Sequence, residues 1–286
     1  MTQPKVFFGF VAIVFIGVLI GFNFLRFPIR ADELHFWPTS LWLFHDGIPS
    51  VERLRSYNEL NTPLPFLIFG GLEQVFHGGI AAGRAFNLAA SLAIVMLIGA
   101  AGKFSTRSLL SVAGLLAFPY FILVAVHLYT DALAALFTVA GAALHLRRRH
   151  RPAAACFIMG IACQQYIVAF PLAFAIHSVL QRIHAKHIVI DGELAAPTIA
   201  AASLAGWYLF FGAAGPQPAL AGQHIAVGRL YPEHGLYFLT CIGVYFVIAE
   251  CILFRSVELY CGPRHRRLQS HCCCPYCSGF RHRSKI

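Results

Sequence analysis

Apolar residues run in long blocks along this chain, and short polar segments punctuate them. Uninterrupted blocks fall at about 6–25, 80–102, 109–127, 131–146, 195–213 and 235–254. Most approach the ~20 residues an α-helix needs to cross a hydrocarbon core. None shows the strict alternation of a half-buried strand or of a membrane β-barrel. The stretch 152–181, "PAAACFIMGIACQQYIVAFPLAFAIHSVLQ", fits either one long tilted helix or two short ones meeting at Gln164 and Gln165. "PLPFLIFGGLEQVFH", Pro63 to His77, is apolar but spans only about 21 Å as a helix, and it carries Glu73 and two glycines. It reads as a helix lying in the membrane interface.

Composition agrees. Of 286 residues, 58% are hydrophobic and 12% are charged, against about 25% charged in soluble domains. The expected fold is all-α: a polytopic transmembrane helical bundle of about eight membrane segments. The first block, Val6 to Leu25, is longer than a signal-peptide core and has no small-residue cleavage site after it, so it reads as a retained membrane helix.

The net charge of +10 would suit nucleic acid, but its distribution does not. Basic residues gather between apolar blocks: Lys103 and Arg107, Arg147 to Arg149 with Arg151, Arg182 and Lys186, and Arg264, Arg266 and Arg267. This is the positive-inside pattern of cytoplasmic loops, and no nucleic-acid partner is expected. Placing all four groups inside requires an even number of crossings between each pair. The 152–181 stretch then becomes a hairpin, "HLYTDA" an external turn, and residues 28–79 one large external segment carrying the interfacial helix. Acids contribute little to orientation, yet Asp32, Glu33, Asp46, Glu52, Glu59, Glu73, Asp131 and Glu233 all fall outside. The expected setting is an integral, multi-pass membrane protein, in a bacterial inner or ER-type membrane, whose working face is non-cytoplasmic.

The division at about residue 254 is compositional. Residues 1–254 form the transmembrane domain, and 255–286 a basic, cysteine-rich cytoplasmic tail with neither helical period nor strand alternation. Its "CPYC", Cys274 to Cys277, copies a glutaredoxin active site in letters. It lacks the strand–helix context that lowers a thiol pKa. The tail reads as unpacked, or as the out-of-frame end of a longer gene.

The segment "FPIRADELHFWPTS", 27–40, carries the chemistry. Side by side, Asp32 and Glu33 cannot face one another across a substrate: neighbours diverge by about 100° on a helix and point oppositely on a strand. One is expected to face a reaction centre, the other a structural or metal partner. A carboxylate at the water–lipid boundary stays ionised and still meets a lipid-linked substrate, where it can serve as general base on a hydroxyl. The plainer reading is that acids mark the end of a membrane helix. His35, three residues after Asp32, would share its face on a helix. Trp37, Trp42 and Phe44 read first as interfacial aromatics, and second as sugar-stacking surfaces.

The order of features resembles the GT-C superfamily of membrane glycosyltransferases. There an acid or acid pair follows the first membrane helix, a proline-led amphipathic segment ends near glycine, and an arginine opens the second membrane helix. Here these are Asp32-Glu33, Pro63/Pro65, Gly78/Gly79 and Arg84. "FPYFILVAVHLYTDALAALFTVAGAAL" resembles the family's external turn with an acid, Asp131, before the next helix. "DELHF" and "CQQYIVAFP" look most like the dolichyl-phosphate-glucose α-1,2-glucosyltransferases, although their arginine is missing and one glutamine aligns. The resemblance covers residues 6–254. It implies a sugar donor on a polyprenyl phosphate and a glycan, lipid or protein acceptor hydroxyl. Asp32 would be the catalytic base, with Glu33 and Asp131 positioning the acceptor or a divalent metal ion. Substrate contacts would come from His35, Arg84, Gln165, His224 and Arg229, the two arginines meeting the leaving phosphate. A membrane transporter or lipid flippase, or an inactive truncated fragment, are the competing readings. Glu250 is the one acid deep in an apolar block, so the transporter signature is thin.

Overall fold

The computed structural model describes residues 4–185, 191–222 and 236. The chain divides into two units, Met1–Arg229 and Leu230–Ile286, and the architecture below is that of the first. The 235–254 block, the tail, His224 and Arg229 lie outside the described residues.

Every regular element among the described residues is helical: α1 (Pro4–Gly21), α2 (Glu33–Leu43), α3 (Val51–Ser56), α4 (Leu64–Phe76), α5 (Gly79–Ala101), α6 (Thr106–Ala117), α7 (Pro119–Val126), α8 (Asp131–Leu146), α9 (His150–Cys163), α10 (Ala169–His184), α11 (Gly192–Phe211) and α12 (Gln217–Gly222). Among the described residues, four helical stretches are long and apolar enough to cross a membrane: α1, α5, Gln165–His184 and α11. The pair α6 and α7 makes a fifth if counted as one broken span. The helix α8, at 16 residues, is roughly 24 Å long, and α9 is shorter still.

Local chemistry sets the breaks. The 109–127 block was expected to be one helix, but it bends by 74° between α6 and α7. Pro119 lacks the N–H a continuing helix needs, and it pushes Phe118 to extended backbone (φ −78°, ψ 111°). The 152–181 stretch breaks at Gln164 (φ −148°, ψ 121°). There Thr62 Oγ1 donates to the Ile161 carbonyl at 2.6 Å, satisfying one of the acceptors a helix end leaves open. Asp191 caps α11 by accepting from the amides of Glu193 and Leu194, and Gly212 closes it in the left-handed region.

The helices alternate between two ends of the bundle. At one end the start of α9 meets the start of α11, with His150 against Gly192. The end of α10 meets the same place, Arg182 pairing with Asp191 at 2.5 Å. The two halves of 152–181 therefore leave and return at one end, as a hairpin does. That end carries Arg147 to Arg149, Arg182 and, beyond α5, Lys103. The opposite end carries the α1–α2 linker, the α7–α8 turn and the Gln164–Val168 turn.

Two apolar clusters hold the bundle. Phe7, Val11 and Phe15 of α1, spaced four apart, pack on Val95 of α5 and on Val112 and Leu116 of α6. The rest of α1 stays exposed, including Ile13, Ile16 and Ile20, as suits a helix bathed in lipid. The second cluster joins α2 and α4 to α8 and α9 through Phe36, Leu43, Phe66, Phe69, Leu133 and Ile161. Gly70 lets α4 lie against α2: a Cβ there would sit 2.5 Å from the Ser40 carbonyl and 2.4 Å from the Phe44 ring.

Because a backbone oxygen cannot be turned aside, Gly70→Ala is expected to force α2 and α4 apart and cost about 1–3 kcal/mol. A thermal unfolding scan of the detergent-solubilised protein measures it, and an unchanged midpoint would contradict the close approach.

Candidate active site at the acidic end

Arg84 stands one turn into α5 and is 1% exposed. Its guanidinium has five N–H groups, and each finds a protein acceptor. Nε donates to Glu33 Oε1 at 2.8 Å and Nη2 to Glu33 Oε2 at 2.6 Å. Nη1 donates to the carbonyls of Leu25 and Phe27, at 2.9 and 2.7 Å, and Nη2 also to that of Pro28 at 3.3 Å. The Phe27 ring centroid lies 3.7 Å from the guanidinium carbon. Glu33, wholly buried, also accepts the Leu128 amide at 2.8 Å and the Arg30 amide at 3.2 Å. Burial pushes the Glu33 carboxyl upward, but the Arg84 and Leu128 hydrogen bonds outweigh it and leave the pKa below the ordinary glutamate value.

One turn on, Asn87 donates to the carbonyls of His127 and Tyr129 at 2.9 and 2.7 Å. Arg84 and Asn87 thus tie two loops to one face of α5: the α1–α2 linker and the α7–α8 turn. The linker needs the clamp, since Asn23, Phe24, Leu25 and Ala31 all adopt left-handed backbone angles, which cost residues other than glycine.

With Glu33 held inward, Asp32 is exposed. It lines a pocket of about 440 Å³ together with His35, Phe36, Asn58, Glu59, Leu60, Asn61 and Gly222. Tyr129 lies amid the acids: burial, then the charges of Asp32, Glu33 and Asp131, pushes its phenol above the ordinary tyrosine value. The far wall is anchored by Asn61, which donates to Thr130 Oγ1 at 3.1 Å. Thr130 also receives Gln164 at 2.5 Å.

The expected site residues therefore separate. Asp32 and His35 come together at the pocket. Glu33 and Arg84 do not reach it. Their polar groups are spent on each other and on backbone, where Glu33 had been expected to position the acceptor and Arg84 to meet the phosphate. Asp131 opens α8, accepts the Tyr166 hydroxyl at 2.6 Å, and is near enough for its charge and that of Asp32 to repel. Gln165 stands behind the wall, its amide donating to Ala214 O at 2.8 Å; it braces the pocket and does not line it. His224 and Arg229 are outside the described residues. Among those residues no three His, Cys, Asp or Glu side chains converge as metal ligands.

Asn58, Glu59 and Asn61 were missed as site residues. The signal was "YNELNTP", 57–63, a polar cluster directly before an apolar helix. Glu59 is half-buried. Burial raises its carboxyl pKa, His35 lowers it, and Asp32 raises it again, for a net value above the ordinary one.

No protein-family profile, curated protein or solved structure matches this chain.

The two glutamates respond oppositely to pH. Glu33 has a depressed pKa. Its contribution is complete above the unfolded value of about 4.3 and is lost as pH falls through the lower folded value. Glu33→Gln is expected to cost about 3–5 kcal/mol at neutral pH, because Arg84 is left buried and uncompensated, whereas Glu33→Leu/Arg84→Met together cost less. Denaturant unfolding compares them, and a double variant weaker than the single one would break the argument. Glu59 has a raised pKa, so its folded form favours the proton. That stabilisation is present at low pH and is lost as pH climbs past the ordinary glutamate range. Glu59→Gln is therefore expected to stabilise the protein at pH 7 relative to pH 4, and the reverse order in paired thermal scans would contradict the raised value.

Proposed function

We propose that the protein is a multi-pass membrane glycosyltransferase that moves a sugar from a polyprenyl-phosphate donor to an acceptor hydroxyl at the non-cytoplasmic face. The observation that carries this reading is the split of the acid pair: Glu33 is locked into the fold, and Asp32 is presented at an open pocket beside His35 and Glu59. Most of the described acids gather at the pocket end, while Asp191 and Glu193 sit at the other among Arg147 to Arg149 and Arg182; the arginine clustering, read by the positive-inside rule, supports an external pocket. The eight crossings and the interfacial placement of α4 belong to this proposal.

In the proposed reaction the Asp32 carboxylate takes the proton of the acceptor hydroxyl. The freed oxygen attacks the anomeric carbon, the bond from that carbon to the phosphate oxygen breaks, and its electron pair leaves with the lipid phosphate. General-base assistance of this kind is worth about 10²–10⁴ in rate. His35 and Glu59 line the same pocket as the base. The leaving phosphate needs cations. With Arg84 consumed, the candidates among the described residues are Arg26 and Arg30, both exposed on the clamped linker. Phe24, Ile29 and Leu34 are exposed beside them, and such a surface suits a phosphate carried on a prenyl chain.

The transporter reading asks for ionisable groups that can change partner within the bundle. Among the described residues the most buried charges, Glu33 and Arg84, have no spare hydrogen-bonding capacity.

Membranes containing the full chain, given radiolabelled polyprenyl-phosphate sugars, are expected to transfer label to endogenous acceptors. Asp32→Asn is expected to lower the rate at least about 100-fold, while Glu73→Gln, remote from the pocket, leaves it unchanged. Equal transfer by wild type and Asp32→Asn would sink the assignment of the base.

A further inference from the structure

A second pocket, of about 240 Å³, opens beside the first. Asn58 lines both, so the two form one groove leading away from Asp32. Trp42 makes a wall of the outer part and is 42% exposed. Thr39 and Ser56 supply hydroxyls there.

The indole is held from behind. Arg53 sits 5.7 Å from its centroid and donates to the Trp42 carbonyl at 3.2 Å. Asp46 pairs with Arg53 and with His45. An exposed tryptophan fixed in this way loses little freedom when something packs on it. The side-chain polar groups of Thr39 and Asn58 make no hydrogen bond to protein, and Ser56 Oγ donates to Glu52 O and keeps its acceptor sites.

We propose that this outer pocket is a carbohydrate subsite that holds the second sugar ring of an oligosaccharide acceptor. A pyranose offers an apolar C–H face to an indole and a rim of hydroxyls to an amide and two alcohols, and these are the groups present. An acyl chain would cover Thr39 and Asn58 without replacing their water, which is unfavourable. The position of the groove makes the binding functional. A terminal sugar whose hydroxyl reaches Asp32 projects its next residue past Asn58 onto Trp42. An acceptor of two or more linked sugars is thereby selected over a single sugar or a simple alcohol. For the role of Asp32 the inference rests on the transferase reading; for sugar binding it stands by itself.

Saturation-transfer NMR on the full chain in lipid nanodiscs tests it, with maltotriose and α-linked mannotriose as probes. Wild type is expected to bind at least one of them, with saturation reaching two adjacent rings. Glu73→Gln, which lines neither pocket, is expected to bind equally well. Trp42→Ala and Asn58→Ala are each expected to bind about tenfold more weakly, and Trp42→Phe to recover much of the loss, which separates a lost stacking surface from a lost fold. Failure of both trisaccharides to bind wild type, or binding indifferent to Trp42→Ala, would overturn the subsite. Trisaccharide binding without sugar transfer by wild type would remove the transferase and leave the subsite. Transfer without trisaccharide binding would do the converse.

Discussion

The bidentate pair between Glu33 and Arg84 is the interaction on which the acidic end depends. Two ions in a site with almost no solvent would ordinarily cost several kcal/mol each in lost hydration. The structure offsets this by leaving neither unsatisfied. Arg84 gives every N–H to a carboxylate or carbonyl oxygen, and Glu33 takes two backbone amides as well. Such a pair is weak evidence for raw stability; what it does is join chain segments. Arg84 ties α5 to the linker after α1 and to the start of α2, and Glu33 in turn accepts the Leu128 amide of the α7–α8 turn.

That constraint answers why two carboxylates stand adjacent. Consecutive residues at a helix start point in different directions, so fixing Glu33 inward turns Asp32 outward. The pair acts as an anchor and a presented group, and presentation is what the general-base role proposed for Asp32 would require. The left-handed residues of the linker fit the same picture, since strained backbone persists where surrounding bonds over-determine it.

Much of the helical outline was readable from apolar spacing. The blocks at 80–102, 131–146 and 195–213 and the short segment after Pro63 reappear within a few residues as α5, α8, α11 and α4. The bend at Pro119 was in the letters too, but apolar continuity across Phe118 hid it. The assignment of Arg84 illustrates a different limit. An arginine at the mouth of a membrane helix reads as a cation for substrate, and nothing local reveals that residues 51 to 59 positions earlier supply its acceptors. Asn58, Glu59 and Asn61 were obscure for the same reason: their loop reaches Asp32 only because Asn61 and Thr62 are tied to α8 and α9, about 70 and 100 residues away in sequence.

The distribution of bracing also bears on what kind of protein this is. At the acidic end side chains are consumed in holding backbone: Asn87 on the α7–α8 turn, Gln165 on the loop after α11, Thr62 on the end of α9. These bonds join loops to helices at one rim, and none of them runs down the bundle axis. A protein that alternates its access must let such ties exchange as its halves rock. A transferase needs the opposite, a rim that stays fixed while lipid-borne substrates arrive and leave. The exposed face of α1 and the exposed Phe170, Ile176 and Ile183 of α10 leave the apolar sides to the bilayer, so the rim is where water, lipid headgroup and protein carboxylates meet. At that rim the proposed base, Asp32, stands exposed, where the proposed reaction has a lipid-borne phosphate meet it.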